Sequence, residues 1–216
     1  MKFDTVLFDL DGTLTDPFVG ISNAVGYALD RMGVARLSDS VLKKFIGPPL
    51  STSFGEYLGF GDDDVSRALG LYREYYSATG KFENRVYDGV PQMLGALAEC
   101  GLKLYVATSK PEPFAVDIVE NFGLSAYITR VFGASVDGSR IEKSDVVRYA
   151  TETSGADEKR AVMVGDRKFD IIGAKDNRLS SVGVLYGYGD RDELVNAGAD
   201  FIAATPADVV KAIKNA

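Results

Sequence analysis

Phe8-Asp9-Leu10-Asp11-Gly12-Thr13-Leu14-Thr15-Asp16 follows the apolar run Thr5 to Phe8, which is short enough to be a buried strand. Two carboxylates stand at its exit. Residues two apart in an extended chain share a side, but a strand that ends here can turn the second carboxylate toward a ligand gripped by the first. Gly12 permits that turn. A carboxylate can accept a phosphoryl group and a neighbouring carboxyl can protonate the leaving oxygen. Asp9 therefore reads as a nucleophile and Asp11 as a general acid/base for phosphoryl transfer. An ordinary strand closed by an Asp-Gly turn has the same local sequence, and three later segments decide between the two.

Downstream of this stretch the pattern is helical. Asp16 and Pro17 form an N-cap and first-turn pair, and Phe18, Ile21, Val25, Ala28, Leu29 and Met32 recur at helical spacing until Gly33. Ser38 is expected to cap a second helix carrying Val41, Leu42, Phe45 and Ile46, stopped by Gly47-Pro48-Pro49. A third helix runs to Gly59, and Asp62 is expected to cap a fourth with Val65, Ala68, Leu69, Tyr72 and Tyr76 on one side. Four helices without a strand predict an all-α insertion over residues 16–84.

From Val86 the pattern changes to alternation of helices with short apolar runs. Strands are expected at Lys103 to Ala107, Arg130 to Ala134, Ala161 to Val164, Ser181 to Leu185 and Phe201 to Ala203. Helices are expected around Pro91 to Glu99, Glu112 to Phe122, Ser144 to Thr153, Asp170 to Asn177 and Pro206 to Lys214. Right-handed crossovers would gather the strands, the opening one included, into one parallel sheet. The predicted class is α/β: a parallel sheet flanked by helices, built from residues 1–15 and 85–216, with a small four-helix cap inserted after the first strand.

Composition narrows the chemistry. The 216 residues are 46% hydrophobic, enough for a buried core, and no apolar run approaches the ~20 residues of a membrane span. Met1-Lys2-Phe3-Asp4 leads straight into a strand instead of a signal peptide, so a cytoplasmic protein is expected. The net charge of −7 without a Lys/Arg block argues against nucleic acid as a partner. There is no histidine, which removes Ser-His-Asp and Cys-His mechanisms and His-ligated zinc. The single cysteine, Cys100, excludes an internal disulfide and is expected to pack at a helix end.

Ligands of open parallel sheets bind outside the carboxyl ends of the strands, so the residues ending each strand carry the argument. Ala107-Thr108-Ser109-Lys110 offers hydroxyls and backbone N–H groups near a helix start, a setting for phosphate oxygens, although Thr108 or Ser109 would equally serve as a helix cap. Lys143 precedes the next helix. In Gly165-Asp166-Arg167-Lys168-Phe169-Asp170, two acids spaced i, i+4 can face one way at a helix start, and oxygen-only ligands favour a hard cation, magnesium above all. Helix capping by Asp166 and a surface Asp170 would be the plain alternative. If Asp9, Asp11, Asp166 and Asp170 meet around Lys143, the excess negative charge would repel a phosphate dianion. Mg²⁺ would remove most of that excess, and like-charge neighbours would push Asp11 toward the protonated form.

These four segments, in this order, resemble the haloacid dehalogenase superfamily of phosphatases. The resemblance implies an α/β, Rossmann-like core and an Mg²⁺-dependent phosphomonoester hydrolase working through an aspartyl-phosphate. It assigns Asp9 as nucleophile and metal ligand, and Asp11 as acid/base whose backbone carbonyl also binds metal. It puts Thr108 and Lys143 on the phosphoryl group, and Asp166 and Asp170 on the metal. Phe45-Ile46-Gly47-Pro48-Pro49-Leu50, Ala107-Thr108-Ser109-Lys110-Pro111 and Gly165 to Ala174 further resemble a bacterial branch labelled 5′-nucleotidase or phosphoglycolate phosphatase. The expected partner is a small phosphorylated metabolite, with monomer and homodimer both open. Its selection is assigned to the cap, through Lys43, Lys44, Gly47 and Pro48. Two rivals stand beside this reading: a sugar-phosphate mutase and a phospho-accepting signalling domain. Gly187-Tyr188-Gly189 reads as a loop, because a dinucleotide fingerprint would need a third glycine.

Overall fold

A computed structural model describes residues 2–216. In chain order the elements are β1 (Thr5–Phe8), β2 (Thr15–Asp16), α1 (Phe18–Met32), α2 (Asp39–Leu42), α3 (Leu50–Leu58), α4 (Asp62–Ala78), β3 (Arg85–Val86), α5 (Val90–Ala98) and β4 (Lys103–Pro111). Then follow α6 (Glu112–Asn121), β5 (Arg130–Ala134), α7 (Lys143–Ser154), β6 (Ala161–Gly165), α8 (Lys168–Asp176), β7 (Ser180–Val184), α9 (Arg191–Ala197), β8 (Phe201–Ala203) and α10 (Pro206–Asn215). The chain forms two compact units: one from the residues up to Thr15 together with Val86–Ala216, the other from Asp16–Arg85.

The larger unit is built on a six-stranded sheet in the order β5-β4-β1-β6-β7-β8, with every pair parallel. Strand order runs outward from β1 through β4 to β5, then restarts on the other side of β1 with β6. That reversal opens a crevice beyond the carboxyl end of β1. Period-two alternation divides β1 between two apolar layers. Val6 and Phe8 join Leu94, Leu97, Val106 and Val209, whereas Leu7 joins Tyr105, Phe132, Val146, Val147 and Ala174. Both faces of the sheet are thus covered, as a parallel sheet requires.

The smaller unit contains α1 to α4, with α1 against α4. Its interior holds Phe45 edge-on to Phe54 at 5.3 Å between ring centroids, and Tyr72 stacked on Tyr76 at 5.2 Å. The helix expected to run from Ser38 through Ile46 is corrected: α2 stops at Leu42, and Lys43–Phe45 form a 3₁₀ turn. Ile46 is already extended, so the turn tightens ahead of Gly47-Pro48-Pro49. Ser38 makes no side-chain cap, its hydroxyl lying instead 2.9 Å from that of Ser40. Asp62 is the first residue of α4, with Gly61 in the capping position. Lys43 and Lys44 are exposed, with their ammonium groups 5.9 and 5.6 Å from the Phe18 and Tyr57 ring centroids. Gly47 is exposed at φ +106°, and Pro48 is half-buried.

Cys100 does not pack as expected. It lies in the turn after α5 and is exposed. The run from Arg191 to Ala197, left out of the predicted elements, is a helix, and β4 continues four residues beyond Ala107 to Pro111. Among the described residues no helix is long and apolar enough to cross a membrane.

Candidate active site

Register brings the site together. Phe8 is level with Val106 on one side and Val164 on the other, so Asp9 emerges beside the middle of β4 and the end of β6, its N–H donating to the Val164 carbonyl at 2.9 Å. Alternation puts Asp9 on the Leu7 face, where α7 and α8 pack, and these two helices carry Lys143 and Asp170. The Lys143 ammonium lies 2.7 Å from Asp9 Oδ1 and 2.8 Å from Asp170 Oδ1, and donates to the Ala107 carbonyl at 3.1 Å.

Asp9, Asp166 and Asp170 are all buried, and one oxygen from each lies within 4.8 Å of the others. Asp9 Oδ1 and Asp170 Oδ1 touch Lys143 as ion pairs but accept no well-angled hydrogen bond, leaving buried lone pairs for a cation. An all-carboxylate donor set suits a hard divalent ion such as Mg²⁺ or Ca²⁺. Asp166 does not cap α8; Arg167 occupies that position. The Asp166 carboxylate instead accepts from the Thr13 hydroxyl at 3.2 Å and the Tyr188 N–H at 2.8 Å. Thr13 and Tyr188 had no assigned role in the sequence reading.

Asp11 stands apart from that triad. Gly12, at φ +89°, turns the chain behind it, and a Cβ there would lie 2.2 Å from Asp166 Oδ2. Asp11 Oδ2 pairs with the Lys110 ammonium, while its Oδ1 is buried without a hydrogen-bond partner. Nothing in the local sequence marks Lys110 as functional, yet its ammonium changes the charge count. With all four carboxyl groups ionised, two ammonium groups leave an excess of two negative charges that one divalent cation neutralises, and a proton on Asp11 would reduce that excess to one before the cation binds. Thr108 is buried on β4, its Oγ1 accepting from the Lys110 N–H at 3.3 Å, and Ser109 beside it is half-buried. Lys43, Lys44, Gly47 and Pro48 belong to the other unit.

The electrostatics follow from burial. Burial pushes the Asp11 carboxyl above its usual range against the pull of Lys110, and Asp9 adds to the push. Burial also raises Asp166, with Asp170 and Asp9 adding, and pushes Asp170 up to about 6 despite Lys143. Burial works against the charge of Lys143, but Asp170 and Asp9 outweigh it and hold the ammonium protonated above its usual range.

A buried acceptor carboxylate, a protonatable carboxyl, a fixed ammonium and a carboxylate cradle form a constellation for phosphoryl transfer. Haloacid dehalogenase-like hydrolases match the chain over residues 6–184. The chain belongs to that family. A 5′-nucleotidase of Pseudomonas aeruginosa is 41% identical over 194 residues, covering 90% of this chain and 88% of its own. The tyrosine-protein kinase PtkA of Mycobacterium tuberculosis is 38% identical over 205 residues, covering 95% and 67%. Among solved structures, a predicted phosphatase from Clostridium acetobutylicum superimposes with a TM-score of 0.95 at 44% identity over 100% of both chains.

Proposed function

We propose that this hydrolase is a cytoplasmic, Mg²⁺-dependent phosphatase that cleaves small phosphomonoesters through a phosphorylated Asp9. The observation that carries the reading is Lys143, whose ammonium bridges Asp9 and Asp170 inside a buried carboxylate triad. The chain is a phosphoric monoester hydrolase. Asp9, Asp166 and Asp170 would hold Mg²⁺, which when bound supplies positive charge against the phosphoryl oxygens. An Asp9 oxygen forms the new bond to phosphorus as the ester oxygen leaves, and the proton of Asp11 passes to that oxygen. A water molecule then attacks the aspartyl-phosphate, gives its proton to Asp11, and releases phosphate. Lys143 compensates the charge on Asp9 and on the phosphoryl group, and the Thr108 hydroxyl and Ser109 offer further polar contacts to it.

Inorganic phosphate release from phosphoglycolate, nucleoside 5′-monophosphates and sugar phosphates tests the reading directly. The 5′-nucleotidase relative makes nucleoside monophosphates the first esters to try. Transfer between sugar positions without phosphate release would identify a mutase instead, and a long-lived phospho-Asp9 without turnover would identify a signalling domain. The kinase-named relative adds a phosphotyrosine product to the outcomes worth measuring.

Metal and proton compete for the same carboxylates. A carboxyl with a raised folded pKa binds its proton more tightly in the fold than in the unfolded chain. Its favourable contribution is complete below the ordinary 3.8 and is lost, for Asp170, as pH rises through about 6. In EDTA the fold is therefore expected to lose stability between about pH 4 and pH 6. At pH 7.5, Mg²⁺ at a hundredfold excess over Kd should raise Tm by about 5 to 10 °C. Asp166→Asn should raise Tm in EDTA and abolish most of the Mg²⁺ increment. Melts followed by circular dichroism that show neither effect would contradict the metal assignment.

Substrate choice is assigned to the helical unit, because every candidate ester shares the phosphoryl group. Lys43 and Lys44 supply exposed positive charge, and Gly47-Pro48 forms a stiff, open turn after the 3₁₀ segment. Replacing both lysines by Met should raise KM for a carboxylated or multiply charged ester and spare a small neutral-tailed one. An equal change for every ester would remove these residues from the selection role.

A further inference from the structure

The loop between β7 and α9 is pressed against Asp166. The Tyr188 N–H donates to Asp166 Oδ2 at 2.8 Å. A Cβ added at Gly187 would lie 2.4 Å from the Asp166 Cβ, and one at Gly189 would lie 2.0 Å from the Asp166 carbonyl oxygen. Only glycine allows so close an approach. The chain then enters α9, where Asp190 caps the helix by accepting from the Glu193 N–H at 2.7 Å. The Glu193 side chain points back to the site: its Oε1 accepts from the Lys168 N–H at 2.8 Å and from Arg167 Nε at 2.9 Å.

Arg167 and Lys168 belong to the short step that separates Asp166 from Asp170. Inside that step the Arg167 N–H donates to Asp170 Oδ2 at 3.0 Å. A single oxygen of Glu193 thus holds both a backbone amide and a side chain in the turn that sets the spacing of two carboxylates in the triad. Cation affinity depends on that spacing, because ligands held in place need no reorganisation when the ion arrives. We infer that Glu193 is a positioning residue for the metal site, fixing the Asp166–Asp170 turn and through it the affinity for a divalent cation. This inference rests on the metal reading proposed above. It gives a function to α9 and to the Gly187-Tyr188-Gly189 loop, neither of which supplies a member of the triad.

The competing account is that Glu193 only caps the start of α8, whose first N–H it accepts. A cap lost by mutation lowers stability, but it has no reason to change cation affinity selectively. The test is Mg²⁺ binding to the whole chain by titration calorimetry at pH 7.5, with Tm recorded in EDTA for each variant. Glu193→Ala should weaken Mg²⁺ binding by roughly 10-fold or more. Glu193→Gln, which keeps an oxygen to accept both hydrogen bonds, should retain most of the affinity. Thr205→Ala, which removes the side-chain cap of α10, should lower Tm and leave Mg²⁺ affinity unchanged.

Unchanged affinity in Glu193→Ala would overturn the inference. So would a loss in Glu193→Gln as large as in Glu193→Ala, since charge and not position would then be responsible. A parallel loss in Thr205→Ala would also overturn it, because affinity would merely follow stability. Should Glu193→Ala not fold, Arg167→Met removes one of the two donors and keeps the Lys168 contact. It is expected to weaken binding in the same direction, and unchanged binding there would overturn the inference too. No saturable binding by the unaltered chain would defeat the metal reading and this inference together, whereas binding that ignores Glu193 would defeat this inference alone.

Discussion

Asp9→Asn should leave no phosphate release above the uncatalysed background, with the fold intact. An amide nitrogen or oxygen is a poor nucleophile toward phosphorus, and a neutral side chain contributes less to a cation cradle than a carboxylate does. The change is nearly isosteric at a buried position, and Lys143 keeps Asp170 as an anionic partner, so the local packing survives. Acid quenching of the unaltered enzyme during turnover should trap a phosphoryl group on Asp9, visible as added mass on the peptide that contains it. The variant should carry none. Turnover retained by Asp9→Asn, or trapped phosphate on another residue, would end the covalent reading. Circular dichroism of the variant guards against mistaking unfolding for loss of chemistry.

What could be read in advance depended on whether local pattern or tertiary contact decides each feature. β5 and β8 are legible to the residue because each is a short, largely apolar run that turn formers follow, Ser135 to Gly138 after β5 and Thr205-Pro206 after β8. The apolar pattern of β4 ends at Ala107 because Thr108, Ser109 and Lys110 are polar. Its extension is held by pairing of Pro111 with Ala134, which no local pattern reveals. The missing helix α9 had a signal in Asp190-Arg191-Asp192-Glu193, an acid at the cap followed three residues later by glutamate, masked by the glycine-rich loop before it. The convergence of Asp9, Lys143, Asp166 and Asp170 follows from strand ends meeting on one edge of a parallel sheet. Lys110 carries no such signal. Its partner is Asp11, ninety-nine residues away, and only the register of β1 against β4 brings them together. The exposure of Cys100 escapes its local pattern for a related reason, since α5 ends at Ala98 and the cysteine falls in the turn beyond it.

Asp11→Asn should slow turnover of an alkyl phosphate by ~10² to 10⁴, the usual range for a lost general acid/base. The argument rests on the two oxygens of Asp11, which have different surroundings. Oδ2 is held by Lys110, whereas Oδ1 is buried without a partner, so Oδ1 is the atom available to carry a proton. Burial favours that protonated form, with Asp9 adding to the effect and Lys110 opposing it. An alkoxide leaves poorly without a proton, so the first half-reaction should become limiting for alkyl esters. A nitrophenyl ester leaves without help, and the variant should still phosphorylate Asp9 with that substrate. Hydrolysis of the aspartyl-phosphate, however, needs Asp11 to accept a proton from water, and the amide cannot accept it. Rapid mixing should then show a burst of nitrophenol close to the enzyme concentration, followed by slow turnover and accumulation of phosphorylated Asp9. No burst is expected with the alkyl ester. The Asn side chain can still accept from Lys110 through its carbonyl oxygen, so a changed site geometry is not the cause of either effect. A loss below tenfold with both esters, or equal losses without accumulated phospho-Asp9, would assign the proton transfers to another group.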